Sequence, residues 1–305
     1  MDIPTVPLAD WLSALTRWMQ FNLDGVFGGL KSVLVGATAA LSGAFAAVPI
    51  WAAIGGIALL LVSQRRFVAA FGVAAALALI ANLGLWQAAV NTLALVAVAS
   101  AIALALGVPL GILSAESRTA RRFVTPMLDY MQTTPAFVYL IPAVLFFGIG
   151  AAPGVLATAI FALPPVTRAL TLGIDQVDPA MVEAGRAFGA SRLQILWKIK
   201  LPLARPYIRV AVNQCIMMAL SMVVVCALIG ARGLGVEVIT ALSQLNLGQG
   251  IEAGIAVVLI AVVLDRVFVP ENPRIRWRRR QSRSRLSATE RWERGRGCQQ
   301  AAIAE

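Results

Sequence analysis

The 305-residue sequence predicts an all-α polytopic membrane protein with about seven spans, on three observations. Hydrophobic residues make up 59% of the chain and charged residues only 13%, about half the charged share of an ordinary soluble domain. The apolar residues gather into runs long enough to cross about 30 Å of hydrocarbon. The formal charge of +11 is concentrated between those runs and in the tail, with ten arginines from Arg274 to Arg296. That placement fits basic segments flanking a membrane and argues against a nucleic-acid surface.

The predicted spans are roughly 47–63, 67–84, 88–114, 133–150, 152–173, 209–229 and 251–268. The fourth and fifth contain Pro135, Pro142, Pro164 and Pro165. Proline removes an amide donor and bends a helix, so neighbouring helices must satisfy the carbonyls it frees. Under this reading alternate segments hold Arg65 and Arg66, then Arg118, Arg121 and Arg122, then seven Lys and Arg from Arg168 to Arg209, then eleven arginines from Arg266 onward. One side thus carries 23 of the 26 basic residues, and the other only Arg17, Lys31 and Arg232. The positive-inside bias makes the basic side cytoplasmic, with the amino terminus outside and the carboxyl terminus inside.

Residues 1–46 form an extracytoplasmic amphipathic segment on this reading. Leu8, Trp11, Leu12, Leu15, Trp18 and Met19 recur at helical spacing, which suits an interfacial helix and equally a helix packed on the protein. Residues 25–46 are moderately apolar but interrupted by Lys31; if they also cross, the count becomes eight and the amino terminus moves inside. Asp2 and Asp10 stand where a cleavable signal peptide would carry basic residues. The membrane domain covers 47–270. Residues 271–305 lack apolar periodicity and read as disordered, with anionic membrane lipid as a second use for their charge.

Chemistry is sparse. Histidine is absent, removing the commonest metal ligand and general base. Cys215, Cys226 and Cys298 form neither a zinc motif nor a disulfide framework. No H-E-x-x-H or paired catalytic carboxylates occur within the spans, so no catalytic or metal residues are expected. No G-x-x-x-x-G-K-[ST] occurs either, so the chain does not cradle nucleotide phosphates in a P-loop.

One loop, about 175–206, is informative. Asp178 followed by Pro179 is a helix start, with a capping carboxylate and proline at the first helical position. That helix should run to about Phe188 and stop at Gly189, suited to the left-handed position. A second helix should begin after Ser191, bury Leu193, Ile195, Leu196 and Ile199, and end before Pro202. Two short helices about a glycine turn on the basic side make a docking element.

Glu183-Ala184-Gly185, three residues, Gly189, nine residues, then Ile199-x-Leu201-Pro202 resembles the EAA loop of ABC importer permeases. The family's second alanine is replaced by Gly185, which keeps a small residue but costs a helix about 1 kcal/mol of propensity. Three further stretches, Met131–Val144, Phe161–Arg168 and Val212–Val224, are similar to the glycine betaine/proline betaine/choline subfamily. Arg232, within Gly-Ala-Arg-Gly-Leu-Gly, and the arginine-rich tail depart from that pattern.

The resemblance implies a type I ABC importer transmembrane domain with a cytoplasmic coupling helix, in a bacterial inner membrane. It implies that Asp178, Glu183, Ala184, Gly185, Gly189, Ile199, Leu201 and Pro202 couple to a separate ATPase, which binds ATP and Mg; no cofactor belongs to this chain. An extracytoplasmic solute-binding protein and a second permease copy are the other implied partners. The implied cargo is a quaternary ammonium osmolyte, moved by alternating access.

Polar residues at membrane depth usually face a bundle interior or a cavity. Asn213, Gln214 and Ser221, interleaved with Met217, Met218 and Met222, therefore line a translocation path or, alternatively, make helix–helix hydrogen bonds with methionine as filler. Tyr130, Gln132, Thr133 and Tyr139 are weaker choices on the same argument. Gly107-x-x-x-Gly111 is compatible with close helix packing. Two other readings compete: a permease for another small solute such as an amino acid or sulfonate, and a secondary transporter. The second would favour ionisable groups in span centres, whereas Glu252 and Asp265 sit near span ends.

Overall fold

The computed structural model describes residues 8–268; expectations for residues 1–7, and for 269–305 with the polybasic tail and Cys298, lie outside the described residues. Those described are helical almost throughout, without strands. In order they form α1 (Leu8–Ala47), α2 (Ile50–Ser63), α3 (Phe67–Asn82), α4 (Trp86–Glu116), α5 (Arg118–Thr133), α6 (Ala136–Phe147), α7 (Ala151–Asp175) and α8 (Pro179–Ala187). Then come α9 (Arg192–Ile195), a π-helical turn (Leu196–Lys200), α10 (Leu201–Leu203), α11 (Arg205–Ser221), α12 (Val223–Ala227), α13 (Leu234–Ser243) and α14 (Leu247–Phe268).

The core is the pairing of α4 with α7, with α11 laid against both. Gly107 and Gly111 of α4 lie in this contact: a methyl on Gly107 would come within 2.8 Å of Val166, and one on Gly111 within 3.0 Å of Leu170. The close approach lets Thr167 and Thr171 donate across it to the carbonyls of Gly107 and Gly111, at 3.3 and 3.2 Å. Both hydroxyls also bond one turn back within α7, so they stay satisfied without water. The α7–α11 contact is as tight, since Gly173 leaves only room for the ring of Tyr207.

Among the described residues, four segments are long and apolar enough to cross a membrane: Thr16–Ala47, Trp86–Glu116, Ala151–Asp175 and Leu247–Phe268. A fifth arises if α5 and α6, bent by 97° at Thr134–Pro135, count together. The expected spans 47–63 and 67–84 appear as α2 and α3, of 14 and 16 residues. At 1.5 Å per residue these reach about 21 and 24 Å, short of a hydrocarbon core of about 30 Å. They pack on each other and on α14. The expected span 209–229 breaks at Met222 between α11 and α12.

Residues 8–47 form one helix, where two unlike stretches were expected; no proline interrupts it, and Lys31 sits beside Gly148. Its contacts follow one end of the bundle. Gln20 donates to the Leu145 carbonyl at 2.8 Å, Phe27 stacks on Phe146 with centroids 4.6 Å apart, and Ser42 donates to Asn91 at 2.6 Å. Leu145 is near the end of α6 and Asn91 near the start of α4, the end where α7 also begins. At the opposite end Glu116, Asp175 and the 178–202 loop meet.

Candidate functional site

The loop predicted to dock a partner folds as expected at its start and turn. Asp178 caps α8 by accepting from the Ala180 amide at 2.9 Å, with Pro179 at the first helical position. Gly189 takes φ +77°. The amide of Gly189 bonds the Arg186 carbonyl at 2.9 Å and that of Ala190 bonds Gly185 at 3.0 Å, the paired bonds of a Schellman ending. Ser191 and Gln194 then close a reciprocal capping box for the next helix.

The second helix departs from expectation at its end. Only Arg192–Ile195 is α-helical, a π turn follows, and the chain continues through Pro202 into α11. Pro202 has no amide to give the preceding turn, and the wider π turn stands directly before it. Ile195 is buried, whereas Leu193, expected on the apolar side, is 68% exposed.

Gly185 also gains a physical reason. Its missing methyl leaves room for Ile199, whose Cδ1 lies 2.6 Å from where a Cβ would be. Thus Gly185 and Ile199, both singled out from sequence, meet and hold α8 against the π turn. Glu183, Ala184 and Gly189 are exposed on the other side of that contact, with Leu201 and Pro202 half-buried behind it.

The loop is fixed to the bundle by ionic contacts. Lys200 pairs with Glu116 at 2.5 Å, joining the π turn to the end of α4. Arg121 pairs with Asp175 at 2.8 Å and donates to the Ser114 carbonyl at 2.9 Å, tying α5 to the ends of α7 and α4. Tyr207 hydrogen-bonds Gln176, and Arg168 pairs with Asp129.

Sequence reasoning missed the residues that protrude. Phe188 is 91% exposed and Trp197 63% exposed, with Met181 also open. Large apolar side chains standing free on a charged loop are the marks of an interface. The signal was present: Phe188 is the residue before the glycine turn.

The α11 residues divide. Gln214, Met217 and Ser221, spaced three and four apart, share an open face, with the Ser221 hydroxyl returned to the Met218 carbonyl at 2.7 Å. Asn213 is half-buried beside them. Met218 packs against the central core, and Met222 is 1% exposed within it. Met222 is therefore a packing residue, because the helix breaks there and turns it inward. Of the weaker choices, Tyr130, Gln132 and Thr133 are exposed, whereas Tyr139 gives its hydroxyl to the Met131 carbonyl. Among the described residues no cluster of metal-ligating side chains occurs.

This helix bundle with its capped loop has the fold of an ABC importer permease. Its fold matches the permease in an inward-facing structure of the MetNI methionine ABC transporter, with TM-score 0.55 and 21% identity over 60% of this chain and 94% of that one. The profile of the binding-protein-dependent transport system inner membrane component family matches residues 107–276, and the chain belongs to that family. It is a transport subunit of a membrane permease system, not a catalytic one.

Close relatives cover nearly all of it. The glycine betaine transport system permease protein OpuAB of Bacillus subtilis is 45% identical over 87% of this chain and 94% of its own length. The glycine betaine/carnitine transport permease protein GbuB of Listeria monocytogenes is 44% identical over 87% and 95%. The glycine betaine/proline betaine transport system permease protein ProW of Escherichia coli is 42% identical over 86% and 74%.

Proposed function

We propose that this chain is the transmembrane permease of an importer for quaternary ammonium osmolytes such as glycine betaine, proline betaine and choline, driven by a separate ATPase. One observation carries the cargo: three permeases named for glycine betaine are 42–45% identical to it across 86–87% of its length. ATP and Mg belong to the ATPase on this reading, and solute is delivered by an extracytoplasmic binding protein. A second copy of the chain completes the path, and Gln214, Met217 and Ser221 face it.

The 178–202 loop is the coupling element. Its free apolar residues seat in the ATPase, and the contact of Lys200 with Glu116 passes the motion to α4. The loop end is cytoplasmic, since Arg65, Arg66, Arg118, Arg121 and Arg122 belong to it. Gln20, Phe27 and Ser42 of α1 make their contacts at the other end.

Labelled glycine betaine uptake tests the reading, using cells that lack betaine and choline import and express this chain with its ATPase and binding protein. Uptake should be saturable, inhibited by unlabelled proline betaine, and abolished by Gly189→Trp at equal membrane abundance. Full uptake by Gly189→Trp would remove the coupling role. A verified, assembled complex that imports no betaine would remove the cargo.

A further inference from the structure

We propose that the end of the bundle opposite the coupling loop holds a carboxylate-binding vestibule, built around Arg232, that receives the acid group of a zwitterionic cargo. The inference rests on the cargo reading for its substrate and on the cavity alone for its chemistry.

The cavity has a volume of about 620 Å³ and lies between α1, the start of α4, the start of α7 and the 230–232 turn. Its polar lining is rich in donors and contains no carboxylate: Arg232, Asn91, Gln87, Ser42 and Thr38. Thr38 bonds carbonyls within α1, at 3.0 and 2.9 Å. Ser42 donates to the Asn91 side-chain oxygen at 2.6 Å, and Gln87 approaches the same oxygen at 3.5 Å. Asn91 therefore has its acceptor occupied, and its amide nitrogen makes no hydrogen bond with any described residue. Arg232 makes no hydrogen bond or ion pair with any described residue. A guanidinium and an amide, both with open N–H groups on one cavity, are donors suited to a carboxylate.

The backbone adds to this field. Gly150 and Ala151, which line the cavity, begin the 25-residue α7, whose first turn has no capping side chain and no acidic residue. The positive end of that helix therefore faces the same space. Lys31 lies next to Gly148, two residues before Gly150 of the cavity lining.

The location gives the cavity its use. Asn91 and Glu116 are 25 residues apart on one helix, which places the cavity about 37 Å from the coupling loop. A solute released on that side meets the vestibule first. The lining holds no aromatic side chain, so it offers nothing to a quaternary ammonium group, and selection here is by the acid alone.

The test uses the assembled permease and ATPase in sealed, correctly oriented vesicles. Ala39, which lines the cavity, becomes the reporter as Ala39→Cys, with Cys298→Ser; Cys215 and Cys226 are buried and stay silent. A membrane-impermeant maleimide is added outside, with sodium acetate, glycine betaine or tetramethylammonium chloride at equal ionic strength. Labelling should slow saturably with acetate and with glycine betaine, by about tenfold at ten times the dissociation constant. Tetramethylammonium should leave it unchanged, and Arg232→Gln should label at the unprotected rate in every solution. Protection by tetramethylammonium, protection that survives Arg232→Gln, or no protection at any concentration would each overturn the site. Acetate protection in a system that fails to import betaine would keep the site and discard only the cargo.

Discussion

Replacing Gly189 by alanine isolates the conformational demand of the coupling turn from any steric one. Nothing lies within 4 Å of the position a Cβ would take, so alanine meets no neighbour. The residue sits at φ +77°, however, where a side chain costs about 1–2 kcal/mol. At RT of about 0.59 kcal/mol, that cost raises the open population of the turn by about 5- to 30-fold. The amides of Gly189 and Ala190, bonded to Arg186 and Gly185, report it directly by hydrogen exchange in the purified complex. Gly185→Ala is the control. Alanine gains about 1 kcal/mol of helix propensity there. Against this, the Ile199 methyl 2.6 Å away must rotate aside, at about 0.5–1.5 kcal/mol. The two nearly cancel, so exchange in Gly185→Ala should stay within about threefold of the parent. Exchange in Gly189→Ala that is no faster than in Gly185→Ala would refute the argument that the left-handed turn holds the loop.

Three other substitutions test the packing and the ionic ties. Thr92 accepts from the buried Leu234 amide at 2.8 Å, so Thr92→Val should cost about 1–3 kcal/mol, read as a lower unfolding temperature, whereas Thr92→Ser should retain the bond. Gly173→Ala would set a methyl 2.4 Å from the Tyr207 Cβ, which no rotamer change relieves; overpacking of about 1–3 kcal/mol should appear as reduced yield of folded protein. Glu116→Lys and Lys200→Glu should each slow ATP-driven uptake, and the two together should restore it; the pair is 33% and 20% exposed, so its coupling energy should be about 1 kcal/mol or less by double-mutant cycle.

The features that could be read from sequence are those fixed over a few residues. Asp178-Pro179, Gly189 and Ser191 specify caps and a turn through their own backbone preferences, and the fold obeys them. The long apolar helices α4, α7 and α14 declare themselves by composition. What escaped depends on residues far apart in the chain. Lys31 looked like an interruption because its neighbour Gly148 lies 117 positions away. Met222 looked like part of a polar stripe because helical periodicity was carried one residue past the end of α11. The shared role of Gly185 and Ile199 needed the π turn, which no local pattern announces. Arg232 stood out only as a departure until the cavity around it gave it company.

The ion pair between Lys200 and Glu116 gives the bundle mechanical leverage. It joins the 178–202 loop to one tip of α4, about 37 Å along that helix from Asn91. A tilt of about 10° about that tip would carry Asn91 through about 6 Å, the width of a small solute. Stiffness, supplied by the glycine and threonine contacts that lock α4 to α7, is then as necessary to transport as any group that touches the cargo.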